Sequence, residues 1–217
     1  IKRTGEAQGR YKKQTGGRGQ FGDCKVRLIP KGRGEGYEFV DQITGGVIPN
    51  KFIPAVNKGI KETMSKGVLA GYPVVDLQVE LIDGSHHSVD SSEMAFKVAG
   101  SMAFQNAVGK CDAVLLEPIM EVTVLTPDEY LGDVIGDLNQ RRGRVLGMEP
   151  SGNGKQKISA YVPQAELYRY STSLRSITQG RGDHARTFHG YEEVPHDIAQ
   201  KVIAEAEKER EGAGIRH

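Results

Sequence analysis

The sequence predicts an α/β (α+β) chain of two domains followed by a terminal helix. Three observations carry that prediction. Period-two and period-four hydrophobic segments interleave up to about residue 116. A new unit then opens at Ile119 and runs strand, helix, strand, strand, helix, strand, the βαββαβ order of ferredoxin-like domains. Finally, Asp197–Glu211 places Ile198, Val202, Ile203 and Ala206 on one helical face. At 217 residues, 37% hydrophobic and 26% charged, the chain is long and apolar enough for two real cores.

The first domain opens on a hairpin. In Asp23–Leu28, Cys24, Val26 and Leu28 alternate with Asp23, Lys25 and Arg27, and Glu6–Gln14 pairs back across a long glycine-rich tip. A further strand fits Gly36–Ile43, with Tyr37 and Phe39 on one face. The spacing of Phe52, Val56, Ile60 and Met64 predicts a helix over Lys51–Lys66, which Gly67 stops. Val74–Ile82 alternates strictly, with Val75, Leu77, Val79 and Leu81 inward. The loop Asp83-Gly84-Ser85-His86-His87-Ser88 ends that strand. A second helix then runs from about Ser91 through Met94, Val98, Met102 and Phe104 to Gly109, with Asp90 as the expected cap. Ala113–Leu116 is expected to close the sheet, and Pro118 to mark the boundary.

In the second domain the strand Met120–Leu125 leads into Thr126-Pro127-Asp128-Glu129, which reads as a capping box with Pro at the first helical position. Val134, Ile135 and Leu138 form that helix's stripe, and Gly143 ends it. Strands at Arg144–Glu149 and Gln156–Val162 join at Ser151-Gly152-Asn153-Gly154. Pro163 is expected to open a helix through Leu167, Tyr170 and Leu174, and Ala185–Tyr191 is the last strand. Arg141 and Arg142 read as cations complementing the dipole at a helix C-terminus.

The tip of the hairpin, Gly17-Arg18-Gly19-Gln20-Phe21-Gly22, spells the G-x-G-x-x-G of dinucleotide sites. Such a site needs a helix N-terminus directly after the loop, and the residues after Gly22 have period two. No kinase signature set accompanies it, and the chain carries no Walker Gly-Lys-Ser or Gly-Lys-Thr. Charge is more informative. Residues 1–34 hold ten basic side chains against Glu6 and Asp23, a balance of +8 in a chain whose total is +1. A lysine-protected edge strand would explain part of this. The glycine tip with Gln14, Arg18 and Gln20 points further, to a polyanion of defined shape such as RNA.

Other chemistry is thinly represented. His86-His87 on a loop lacks a third metal ligand, and there is no G-x-S-x-G nucleophile elbow. Arg181-Gly182-Asp183 is a chance match to the integrin tripeptide. Cys24 and Cys111 fit no metal or redox spacing and are expected as buried free thiols of a reducing compartment. No apolar run approaches the roughly 20 residues that span a bilayer. The chain opens on Ile1-Lys2-Arg3 without a Met, and a longer parent protein is expected.

Several long blocks resemble the last two domains of bacterial elongation factor G. They are "QTGGRGQFG", "GGVIPNKFIPAVNKGI", "DGSHHSVDSSEMAFKVAGSMA", "LLEPIMEVTV", "GDVIGDLNQRRGRVLGMEP" and "LRSITQGRGDHARTFHGYEEVP". The resemblance implies an elongated fourth domain at 1–118 with a left-handed βαβ crossover. It implies a ferredoxin-like fifth domain at 119–195, and a tail at 196–217 packing back on the fourth. The implied role is to promote tRNA–mRNA translocation on the ribosome. Two loops would form a tip entering the small-subunit decoding site: Gln14, Gly16, Gly17, Arg18, Gly19 and Gln20, then Ser85, His86, His87 and Ser88. His87 aligns with the family's histidine at the codon–anticodon helix. Lys12, Lys13, Lys25 and Arg27 would face RNA, and Gln179 and Arg181 would contact ribosomal RNA. GTP and Mg would belong to the full-length protein, a GTPase, and none to this portion, which is expected to be a cytoplasmic monomer without membrane contacts and with no catalytic residue. His86 stands where Tyr is usual, Ser88 where an acid is usual, and Leu167-Tyr168-Arg169-Tyr170 replaces the commoner Met-Phe-Gly-Tyr. These departures leave open a divergent paralogue acting in recycling or ribosome protection. A self-standing RNA-binding module is the other alternative.

Overall fold

The computed structural model describes residues 1–14 and 16–214, so Thr15 of the expected tip and 215–217 of the expected tail lie outside the described residues. The chain divides into two compact units. Ile1–Leu115 with the stretch from Pro195 onward forms one, and Leu116–Val194 the other.

In the first unit β1 (Gly5–Lys13) and β2 (Gln20–Pro30) form the hairpin, in register from Gly5↔Leu28 to Lys13↔Gln20. The strand β3 (Tyr37–Asp41) lies parallel to β4 (Leu77–Ser85), which is antiparallel to β2, so the sheet order is β1-β2-β4-β3. Parallel neighbours require a crossover, and α1 (Ile53–Lys66) supplies it. The helix α2 (Glu93–Val108) follows β4. Cys24, Val26, Leu28, Leu77, Val79 and Leu81 from the sheet meet Val56, Ile60, Phe96 and Phe104 in a solvent-free core. Burial pushes the Cys24 thiol up to about 12, so it behaves as a small apolar side chain. Cys111 is also buried and unpaired.

The central helix is packed at backbone contact distance on two sides. A Cβ on Gly9 would lie 2.2 Å from the Ala99 carbonyl oxygen, and one on Gly22 would lie 2.5 Å from that of Ala95. Across the helix, a Cβ on Gly59 of α1 would lie 2.0 Å from the Lys97 carbonyl oxygen. This explains the small residues on α2, whose buried stripe is Ala95, Phe96, Ala99, Gly100, Ala103, Phe104 and Ala107. The expected stripe is therefore displaced. Met94 is 65% exposed, and Val98 and Met102 are half-buried.

Other expectations for this unit are corrected. Ser92, not Asp90, caps α2, accepting the Ala95 N–H at 3.1 Å. Asp76 takes a left-handed φ of 58°, which turns the chain and leaves Val75 exposed, so β4 begins at Leu77. The Asp76 carboxylate accepts the N–H groups of Gly34 and Gly36, each at 3.0 Å. Ala113–Leu115 adds no strand to this sheet, and Leu116 already belongs to the next one.

The second unit contains β5 (Leu116–Pro127), α3 (Leu131–Gln140), β6 (Arg144–Gly152), β7 (Lys155–Pro163), α4 (Tyr170–Ile177) and β8 (Asp183–Glu193). Its antiparallel sheet has the order β6-β7-β5-β8, the ferredoxin-like arrangement. The first residue of β5, Leu116, pairs with the last of β8, Glu193. Pro118 is accommodated because pairing with β7 starts only at Ile119. Val122, Val124, Ile158, Ala160 and Val162 pack on Val134, Leu138, Tyr170 and Leu174.

Neither expected helix start in this unit holds. Thr126 stays in β5 with its hydroxyl donating to the Pro127 carbonyl (3.3 Å), and a 3-10 turn over Asp128–Tyr130 precedes α3. Pro163 ends β7, a 3-10 turn covers Gln164–Glu166, and α4 starts at Tyr170 after Arg169 at φ 55°. Both arginines at the end of α3 do more than face a dipole. Arg141 donates to the Asp137 carboxylate (3.0 Å), the Glu166 carbonyl (2.6 Å) and Ser173 (3.0 Å), and lies 5.0 Å over the Tyr170 ring. Arg142 grips the Glu117 carboxylate through two bonds of 2.7 and 3.0 Å.

The last helix, α5 (His196–Gly214), belongs with the first unit and has no fully buried residue. Val202, Ile203 and Ala206 are half-buried, and Arg210 donates to the Leu69 carbonyl at 2.7 Å. Among the described residues no helix is long and apolar enough to cross a membrane.

Two stability changes are expected. Gly22→Ala lowers the stability of the first unit by about 2–3 kcal/mol, because only backbone lies in the way and backbone cannot rotate aside. Arg169→Gly raises that of the second by about 1 kcal/mol, by relieving a left-handed non-glycine residue. Urea unfolding followed by probes in each unit reads both, and unchanged midpoints would refute these packing accounts.

Candidate nucleic-acid interface

The expected site begins where strands end. β1 stops at Lys13 and β2 starts at Gln20, so Gln14 and residues 16–19 lie at one end of the sheet. The register Asp23↔Ser85 brings the end of β4 to the same edge, so the loop after Ser85 emerges beside them. Gln14, Gly16, Gly17, Arg18, Gly19 and Gln20 thus lie at the same end of the sheet as Ser85, His86, His87 and Ser88, and the contacts between the two loops run to Val89 and Asp90.

Direct bonds hold the loops together. Arg18 donates through Nε and Nη2 to the Val89 carbonyl, at 3.3 and 3.0 Å. The Phe21 N–H donates to the Asp90 carbonyl at 2.9 Å. A Cβ on Gly19 would stand 2.8 Å from the Asp90 carboxylate. The Phe21 and His87 rings lie 6.4 Å apart. Two of the three glycines of G-x-G-x-x-G therefore serve packing, Gly19 against Asp90 and Gly22 against α2. No helix N-terminus follows, since β2 continues to Pro30.

Beneath the loops sits a buried carboxylate. Asp23, 3% exposed, accepts from Gln8 Nε2 (2.5 Å), Ser85 Oγ (2.6 Å) and Arg10 Nη2 (3.3 Å), and so joins β1, β2 and β4. Arg10 also lies 5.8 Å over the Phe21 ring. Reasoning from alternation misses the burial of Asp23, because an outer-face position beside Lys25 and Arg27 reads as solvent-exposed. Asp23 does lie on that face: the bulge between Lys25 and Val26 in the pairing with β4 puts its extra residue in β4 and leaves the phase of β2 intact. The side chains of Gln8, Arg10 and Ser85 from the two neighbouring strands close over it. Only the register reveals this closure.

The two histidines have different settings. His86 Nδ1 stands 3.0 Å from the Val47 carbonyl, which can only accept, so that nitrogen carries a proton. The His87 N–H donates to Ser91 Oγ at 2.9 Å, and its ring faces backbone N–H groups of the same turn. Among the described residues no group of three or more His, Cys, Asp or Glu is placed to hold a metal.

The basic residues divide. Lys12 and Lys13 are exposed at the end of β1, beside the tip. Lys25 and Arg27 lie down the strand and pair across it, both with Glu6 (3.3 and 2.7 Å) and Arg27 also with Glu80 (3.0 Å). Arg27 chiefly, then Lys25, holds the Glu6 carboxyl below the usual carboxylate range. Both thus belong to a charge ladder on the stem. In the second unit Gln179 takes φ 51° in the turn before β8. Arg181 is bound to Glu129 and to the Tyr130 hydroxyl (3.0 Å).

Replacing Asp23 by Ala leaves Gln8, Arg10 and Ser85 with donors unpaired under the tip. The expected cost is about 2–3 kcal/mol, read as a fall in the denaturation midpoint of the first unit. A midpoint within error of wild type would show the carboxylate is dispensable.

Known proteins align with this architecture. Residues 1–112 match the family model described as elongation factor G, domain IV, and residues 114–202 match elongation factor G C-terminus. The chain is 57% identical over 205 residues to elongation factor G of Aquifex pyrophilus, covering 94% of this chain and 29% of that protein. A crystal structure of a protein from Thermus thermophilus shares 47% identity with a TM-score of 0.81, over 96% of this chain and 31% of that one. The chain spans just under a third of the length of these relatives.

Proposed function

The chain belongs to the elongation factor G family, and from that premise we propose that its two-loop tip enters the decoding site of the small ribosomal subunit to promote tRNA–mRNA translocation. One observation carries this reading. The candidate residues lie on two loops at one end of the sheet, tied to each other by hydrogen bonds, with Lys12, Lys13, Gln14, His87 and Ser88 exposed, which suits contact with another molecule's surface.

The mechanism is steric and electrostatic. Lys12 and Lys13, unpaired among the described residues, offset phosphate repulsion as the hairpin approaches RNA. The glycine backbone between them and Gln20 allows contact at short range. Gln20 and His87 bond ribose or base-edge groups in the shallow minor groove of an RNA duplex, with little sequence preference. Lys25 and Arg27, already paired, contribute to the field around the stem and not to direct contacts. In the second unit Gln179 and Arg181 are proposed contacts to large-subunit RNA, and Arg181 must leave Glu129 to make one. GTP and Mg are assigned to residues outside these 217, in a cytoplasmic, monomeric full-length factor.

The test is single-turnover translocation by the full-length factor carrying His87→Ala or a deletion of Gly17 and Arg18. A drop of tenfold or more is expected, with ribosome-stimulated GTP hydrolysis retained. Normal translocation with lost ribosome splitting would assign the chain to a recycling paralogue instead.

A further inference from the structure

The His87 imidazole is held by its own turn. Nδ1 lies 3.3 Å from the Val89 N–H nitrogen and 3.2 Å from that of Asp90. Both are donors, so Nδ1 offers them a lone pair, and in the neutral ring the proton resides on Nε2. A proton on Nδ1 would oppose two backbone donors. Its remaining acceptor, Asp90 Oδ2 at 3.6 Å, is beyond hydrogen-bond reach. The turn is closed outside the ring as well, by the His87 N–H on Ser91 Oγ (2.9 Å) and the Ser91 N–H on the His87 carbonyl (3.2 Å).

Arg18 acts on this turn from the other loop. The carbonyl it grips, that of Val89, belongs to the same peptide as the Asp90 N–H. In a planar trans peptide the C=O and N–H point in opposite directions. Two bonds from one guanidinium to that oxygen therefore fix where the Asp90 N–H is aimed, which is at Nδ1. Nε2 has no partner among the described residues, and the side chain is 53% exposed.

We propose that Arg18 is a positioning residue which, through the Val89–Asp90 peptide, locks His87 as the Nε2–H tautomer, so that the tip presents a hydrogen-bond donor to its target. The nature of that target rests on the function proposed above. The lock itself does not. A donor at this place selects acceptors: minor-groove N3 and O2 atoms, ribose oxygens and phosphate oxygens. It opposes an exocyclic amino group such as guanine N2. Arg18 is thereby removed from the set of RNA contacts, although its charge and exposure suggest one.

Nuclear magnetic resonance on the isotope-labelled 217-residue chain at about pH 8, where free imidazole is neutral, tests the lock directly. The His87 ring is assigned by comparison with His87→Gln. The expected result is a protonated Nε2, and a through-hydrogen-bond coupling between Nδ1 and the Asp90 amide nitrogen. Arg18→Ala abolishes that coupling and lets the Nδ1–H form appear, and Arg18→Lys, whose ammonium can donate to the Val89 carbonyl without the guanidinium's two-bond fork, keeps part of it. A proton on Nδ1 in the unaltered chain overturns the proposal, and so does a coupling indifferent to Arg18→Ala. In the full-length factor, Arg18→Ala and His87→Ala should be non-additive in translocation rate. The salt dependence of ribosome binding should be unchanged by Arg18→Ala but reduced by about one charge by Lys13→Ala. Additive losses together with a reduced salt slope for Arg18→Ala would make it a phosphate contact. If the tautomer is locked yet His87→Ala translocates normally, the decoding-site reading fails and the lock stands.

Discussion

The first unit depends on one close approach. The helix α2 touches the hairpin backbone at Gly9 and Gly22 and the α1 backbone at Gly59, with no side chain between. Contact at this distance fixes the β1–β2 edge of the four-stranded sheet against the helix. It also sets where the hairpin points, because a helix in contact at two glycines separated across the β1–β2 register cannot tilt without collision. Residues 16–19 and 86–91 inherit that direction. The dispersion energy of such packing is spread over many atoms, yet the geometry hangs on a few residues that have no side chain.

Polar groups complete what packing begins. Asp23 brings three strands to one carboxylate just below the tip. Above it the hydrogen bonds named between the loops end on backbone carbonyls, that of Val89 for Arg18 and that of Asp90 for Phe21. Bonds to backbone fix the course of the loop whatever its side chains are. This leaves Lys12, Lys13, Gln14 and Ser88 at the surface, available for an outside partner. Rigidity within and freedom at the rim suit a surface that engages many different sequences through shape and phosphate.

Much of this was legible in the sequence. Alternation at Cys24, Val26 and Leu28 gives the hairpin strand, and the period of two that follows Gly22, with no helix start, disposes of the nucleotide reading. Less legible was everything governed by neighbours distant in sequence. The stripe of α2 was misplaced by one position because Met94, Val98 and Met102 outrank alanines on any hydrophobic scale, whereas the close approach demands the alanines. Thr126-Pro127-Asp128-Glu129 satisfies the local pattern of a capping box, but pairing of β5 with β7 as far as Pro127 keeps Thr126 extended. For Arg18 the residue type suggested a ligand for phosphate, and the structure gives it a carbonyl. Loop partners of that kind, 71 residues apart, leave no short-range signature.

The path of the chain through α5 bears on synthesis. The second unit is threaded between two pieces of the first, entering at Leu116 and leaving at Glu193, which are paired neighbours. When residues 1–115 leave the ribosome that makes them, the core around α2 is already complete, since α5 contributes no fully buried residue. The inserted unit can then form its own sheet without holding the first one open. The last helix docks afterwards on a finished surface. A nascent chain thus passes no stage at which the core around α2 waits for α5.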